Sequence, residues 1–155
     1  MRPNGMGRNT MKIILTVLLL STFSVIAKEP NMGKKYPTNI IRVIDGDTLK
    51  IEAKWLPDPL PKQISVRLNN IDTPEKGARS QCESEQILSA KATEFTKTKV
   101  KESKKQEVII YKFEKYGRLL ADIVLDDKNL SKMLIDSKMA RPYYGGTKQS
   151  WCEVK

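Results

Sequence analysis

The sequence contains no histidine. Imidazole is therefore excluded from any mechanism, and acid–base chemistry near neutral pH falls to carboxylates, lysine, tyrosine or metal-bound water. Cysteine is nearly as scarce: Cys82 and Cys152 are the only two, and an isolated pair without histidine does not make a zinc site. Beyond residue 27 no apolar run is long enough to span a bilayer. Acidic residues are also in deficit, 18 Asp and Glu against 28 Lys and Arg, giving a net charge of +10. A surplus of that size suits a polyanionic partner, either nucleic acid or an anionic membrane surface. A chain of 155 residues allows one domain with a modest core.

What the sequence does have begins with its first 27 residues. Arg2, Arg8 and Lys12 precede an apolar stretch over residues 13–20, followed by small residues ending in Val25-Ile26-Ala27. A positive head, a short apolar centre and a small-residue cut site describe a secretory signal peptide, here residues 1–27. Met11 offers an alternative start to the same signal. The mature chain is expected to be exported, periplasmic or secreted, without stable membrane association. Nothing in it demands more than a monomer. In an oxidising compartment an even cysteine count favours a Cys82–Cys152 disulfide over two free thiols.

Residues 28–38 read as an extended polar leader, with Pro30, Gly33 and Pro37. The folded domain is expected over 39–155. Strand-like alternation runs to Ile44, and Asp45-Gly46 is a hairpin turn signal. Residues 47–51 and 64–68 alternate apolar and polar, which predicts two more strands. The three prolines between residues 55 and 61 exclude a central strand there. From about residue 80 to 101 the period turns helical, with Leu88, Ala92 and Phe95 on one face. Strands are expected at 107–113 and 119–125, then a short helix capped by Asn129 and running to about residue 138. Three strands, a helix, two strands and a helix make an α+β domain, and a five-stranded barrel with packed helices is one such architecture.

Phosphodiester cleavage needs an activated water, neutralisation of the phosphorane and stabilisation of the leaving oxygen. Carboxylates around a hard divalent cation meet part of that need, and guanidinium groups gripping phosphate oxygens meet the rest. The candidates sit in three segments: Val-Ile-Asp-Gly-Asp-Thr-Leu at 43–49, Arg-Leu-Asn-Asn-Ile-Asp-Thr-Pro-Glu at 67–75, and Lys-Tyr-Gly-Arg at 115–118. Taken singly, each reads as an ordinary turn or helix start. Together, in order and with this internal spacing, they resemble the staphylococcal nuclease (thermonuclease) family, from about Ile40 to Tyr144.

The resemblance implies an OB-fold, Ca²⁺ as cofactor, and DNA and RNA as substrates. It implies cleavage that leaves a 3′-phosphate and a 5′-hydroxyl. It places Asp47 and Asp72 as metal carboxylates, Thr73 as a backbone-carbonyl ligand and Glu75 as the residue that positions or activates water. Arg67 and Arg118 become the phosphate-gripping pair, Lys115 and Tyr116 nucleotide contacts, and Tyr144 a further pocket aromatic. Asp45 belongs to the turn or to a second layer behind the metal. An all-oxygen ligand set also suits a chain that lacks histidine. Two rivals carry different expectations. A non-catalytic nucleic-acid-binding module would keep affinity without cleavage, and a membrane-surface protein would bind anionic vesicles.

Overall fold

The computed structural model describes residues 30–152. The signal segment expected over 1–27 lies outside the described residues. Five long segments build one mixed sheet. The first is split into β1 (Lys35–Pro37) and β2 (Ile40–Val43); β3 (Thr48–Glu52) and β4 (Gln63–Leu68) follow. A two-residue strand β5 (Ile71–Asp72) leads through a 3₁₀ turn at Gly77–Arg79 into the helix α1 (Glu83–Glu102). Then come β6 (Gln106–Phe113), β7 (Arg118–Leu125), β8 (Lys128–Asn129), α2 (Leu130–Asp136) and β9 (Arg141–Pro142).

Strand order is β1-β6-β7-β4-β3-β2, with β4 and β7 parallel and the other neighbours antiparallel. Only Thr38 and Asn39 separate β1 from β2, yet β1 bonds to β6 at one end of that order and β2 to β3 at the other. One continuous segment thus joins both ends of the sheet, and the five strands wrap into an OB-fold barrel. Part of the stretch read as a leader, Lys35–Pro37, belongs to this first strand.

The alternation that predicts strands also fills the barrel. Leu49 and Ile51, Ile64, Val66 and Leu68, Val108 and Ile110, and Leu119, Ala121 and Ile123 all point inward and are buried. Leu130 and Leu134 of α2 and Ile71 of β5 join the same core. Asn129 caps α2 by accepting the Lys132 amide at 3.0 Å, as its position before the apolar run predicts.

The long helix differs from its expected packing. Its fully buried stripe is Glu85, Ser89, Ala92 and Thr96, while Leu88 and Phe95 are only half-buried. Within that stripe Glu85 and Thr96 serve loop backbone, Glu85 accepting the Glu75 and Gln81 amides and Thr96 donating to the Gly46 carbonyl. Those loops carry the candidate site. No helix among the described residues is long and apolar enough to cross a membrane.

Candidate active site

Register brings the strand-borne candidates together. Thr48 on β3 pairs with Arg67 on β4, and β4 runs parallel to β7 with Ser65 opposite Arg118. Arg67 falls between the inward residues Val66 and Leu68, so strand alternation turns it out of the core. Asp47, one residue before β3, therefore stands beside Arg67 and near Arg118 at one end of the barrel. The turn after β6 needs a left-handed residue, supplied by Gly117 at φ 70°; it launches β7 with Arg118 at its first position.

A second group arrives from the loop after β5. Asp45, Asp47, Arg67, Thr73, Glu75, Arg79 and Arg118 line one cleft of about 170 Å³. Gly46 makes this meeting possible. A Cβ on it would lie 3.0 Å from the Ala92 Cβ and 3.1 Å from the Thr73 Cγ2, so any larger residue would push α1 and Thr73 back from the Asp45–Asp47 turn. Thr96 of α1 then donates to the Gly46 carbonyl at 2.9 Å.

The charges are interleaved. Arg67 NH1 lies 3.0 Å from Asp47 Oδ2, and NH2 lies 4.0 Å from Asp72 Oδ1. Both carboxylates are buried, at 4% and 5% exposure. Burial pushes the Asp47 carboxyl up to about 6; Arg67 pulls it down and the neighbouring Asp45 pushes it up further. Thr48 donates to Asp47 Oδ1 at 3.0 Å. Arg118 is held at the rim by Glu114, whose Oε2 receives Nε and NH2 at 3.0 Å each.

Glu75 is gripped from two sides, by Arg79 Nε at 3.3 Å and Lys148 Nζ at 2.9 Å. Its backbone amide donates to Glu85 Oε1 at 3.1 Å, while Glu85 Oε2 takes the Gln81 amide at 2.7 Å. Asp72 receives the indole N–H of Trp151 on Oδ2 at 3.0 Å. Its other oxygen, Oδ1, is buried and is met by the Lys148 ammonium at 2.6 Å.

Not every candidate is drawn in. Tyr116 is 74% exposed and Tyr144 81% exposed. Lys115 lies over the Tyr116 ring at 4.9 Å, on the turn that leads into Arg118. Tyr144 lines a neighbouring hollow that also touches Asp72 and Arg141. These three sit around the cleft as exposed surface rather than within it. Cys82 and Cys152 form a disulfide with Cα atoms 6.0 Å apart; their sulfurs, close to Glu85, are bonded to each other and are not a metal site.

Sequence reasoning missed Glu85, Lys148 and Trp151. Glu85 had a signal, because it occupies the third helical position, from which a glutamate reaches back to amides before the helix. Trp151 adjoins a cysteine whose bond carries it to the start of α1. Lys148 had no local signal.

The residues present fit a hard divalent cation. The donors are oxygens only, two of the carboxylates are buried, and the partner of Asp72 Oδ1 is itself a cation, the Lys148 ammonium. Asp47, Asp72 and the Thr73 carbonyl would hold it. The sequence model of the family described as "Staphylococcal nuclease homologue" matches residues 65–152, more than half of the chain. That span takes in Arg67, Asp72, Thr73, Glu75, Arg118 and the tail with Lys148 and Trp151. With its barrel, its acidic–guanidinium cleft and this match, the chain belongs to the staphylococcal nuclease family of metal-dependent nucleases, phosphodiesterases that act on nucleic acid.

Proposed function

We propose that this protein is an exported, calcium-dependent endonuclease that cleaves DNA and RNA with little sequence preference, leaving 3′-phosphate and 5′-hydroxyl ends. The observation that carries the reading is one arginine, Arg67, set between two buried carboxylates, Asp47 at 3.0 Å and Asp72 at 4.0 Å, with Asp47 and Arg67 lining a cleft together with Glu75 and Arg118. A bound calcium ion would polarise the phosphate and offset its growing negative charge. Arg67 and Arg118 supply guanidinium donors to the phosphate oxygens, an interaction that strengthens as charge builds on them. For Arg118 this means leaving Glu114 for the substrate.

Glu75, held by Arg79 and Lys148, accepts a proton from the attacking water. The water oxygen bonds to phosphorus, the bond from phosphorus to the 5′-oxygen breaks, and that oxygen takes up a proton to become the 5′-hydroxyl. Lys115 and the exposed rings of Tyr116 and Tyr144 give sequence-tolerant contacts to the nucleotide and its neighbours. None of these roles calls on a second copy, and we take the protein to act as a monomer. The signal-like N-terminus and the Cys82–Cys152 disulfide support export to an oxidising compartment, periplasmic or extracellular.

The test is cleavage of single-stranded DNA, duplex DNA and RNA with Ca²⁺, with Mg²⁺ and with chelator, followed by analysis of the product ends. Calcium-dependent cleavage with 3′-phosphate ends, lost in Glu75→Ala while nucleic-acid binding persists, is the expected result. Tight binding without cleavage under any condition would replace the enzyme with a binding module.

A further inference from the structure

The last ten described residues, 143–152, form a strap across the acidic side of the cleft. It is anchored at both ends. At the near end, β9 pairs with β5, setting Arg141 opposite Asp72, and the Tyr143 amide donates to the Asn70 carbonyl at 2.9 Å. At the far end Cys152 is bonded to Cys82, the residue immediately before α1. Trp151 is buried between these anchors. The Arg141 guanidinium lies 3.8 Å over its ring, and Arg141 NH1 donates to the Ser150 carbonyl at 2.8 Å. The indole is thus fixed in plane and direction before it meets Asp72.

Its contact has a specific chemical form. An indole N–H only donates; it engages Asp72 Oδ2 and leaves Oδ1 to cations, Lys148 among them. Residues that orient a metal-binding carboxylate in this way set metal affinity without touching the ion. Lys148, three residues earlier on the strap, stands at Oδ1 itself, 2.6 Å away, and at Glu75 Oε1, 2.9 Å away. A cation bound at Oδ1 meets this ammonium as a competitor for the same carboxylate.

We infer that the disulfide-pinned strap tunes the cation affinity of the site from two directions, Trp151 positioning Asp72 for the ion and Lys148 opposing the ion at the same side chain. The inference rests on the calcium-nuclease reading above and adds two positioning residues to it. It also gives the disulfide a role beyond closing a loop, since it holds both residues on the carboxylates.

The experiment is calcium binding by isothermal titration calorimetry, without substrate, to the oxidised protein and to Trp151→Phe and Lys148→Met. Phenylalanine keeps the aromatic surface under Arg141 and removes only the donor; methionine keeps the stem of Lys148 and removes only the charge. Trp151→Phe is expected to weaken calcium binding by about tenfold, and Lys148→Met to tighten it several-fold. Thermal unfolding in chelator separates these effects from loss of fold, because general destabilisation would move both variants the same way. Opposite shifts in affinity support the inference. No shift in either variant, or a shift of the same sign in both, overturns it. Calcium binding absent from the wild-type protein itself would overturn the calcium reading together with the inference, whereas normal wild-type binding with unshifted variants would overturn the inference alone.

Discussion

The two sides of the cleft are built differently. Asp47, Arg67 and Arg118 stand on or beside neighbouring strands at one end of the barrel, and their positions follow from ladder register. Asp72 ends the two-residue strand β5, paired with Arg141 of β9, and Glu75 lies on the loop that follows; both are also held by side chains far away in sequence. Trp151 reaches Asp72 across 79 residues and Lys148 reaches Glu75 across 73. Glu85 ties the same loop to α1 through the Glu75 amide. The barrel side rests on the packed core beneath it; the loop side is held by contacts from the strap and α1.

The comparison can be broken from either side. The largest effect is expected on the barrel side, where Arg67→Ala removes the proposed phosphate donor and also leaves the buried Asp47 without its cation. Cleavage should fall by about 10³-fold, measured as kcat/KM on single-stranded DNA, with unfolding still cooperative. Next comes the strap. Replacing Cys82 and Cys152 by serine opens a long loop and should cost about 4 kcal/mol in denaturant unfolding. The same change should weaken calcium binding while leaving the Asp47–Arg67 pair in place.

At the junction of the two sides, Gly46→Ala forces a methyl against Ala92 and Thr73. It should cost about 1–3 kcal/mol by chemical denaturation and reduce cleavage by displacing the loop from the turn. The smallest effect is in pH. In cation-free protein Asp47 keeps its proton up to about 6, whereas the unfolded chain releases it near 3.8. The folded state binds more protons across that window, so the Asp47 contribution to stability falls as pH rises through it. Thermal unfolding in chelator from pH 4 to 7, compared with Asp47→Asn, isolates the term. Calcium needs the ionised carboxylate, so its affinity should fall as pH drops below about 6.

The same division explains what could be read from sequence. Period-two alternation placed the strands because one face of each is buried in the barrel, and that alternation also turned Arg67 outward. Asn129 announced α2 through a local hydrogen bond. Order and spacing of three short segments pointed to the family and to its cleft residues. The strap residues were not legible, because Lys148 and Trp151 sit in an irregular tail whose partners lie on another part of the chain. The α1 face was legible in part: Ala92 is buried and Phe95 packs against the core, as the helical period predicts, but Glu85 and Thr96 are buried through bonds to loop backbone, which no hydrophobic period marks. Gly46 was legible as a turn residue, but its close approach to Ala92 and Thr73 depends on tertiary packing.

The most direct test of the central claim, a calcium-dependent nuclease site assembled from both sides, is calcium titration of the wild-type protein beside Asp47→Asn and Asp72→Asn, with cleavage followed in the same samples. The account predicts one bound calcium ion and saturable cleavage that rises with its occupancy, both lost in each variant. Cleavage that survives chelator, or calcium binding undiminished in both variants, would contradict it.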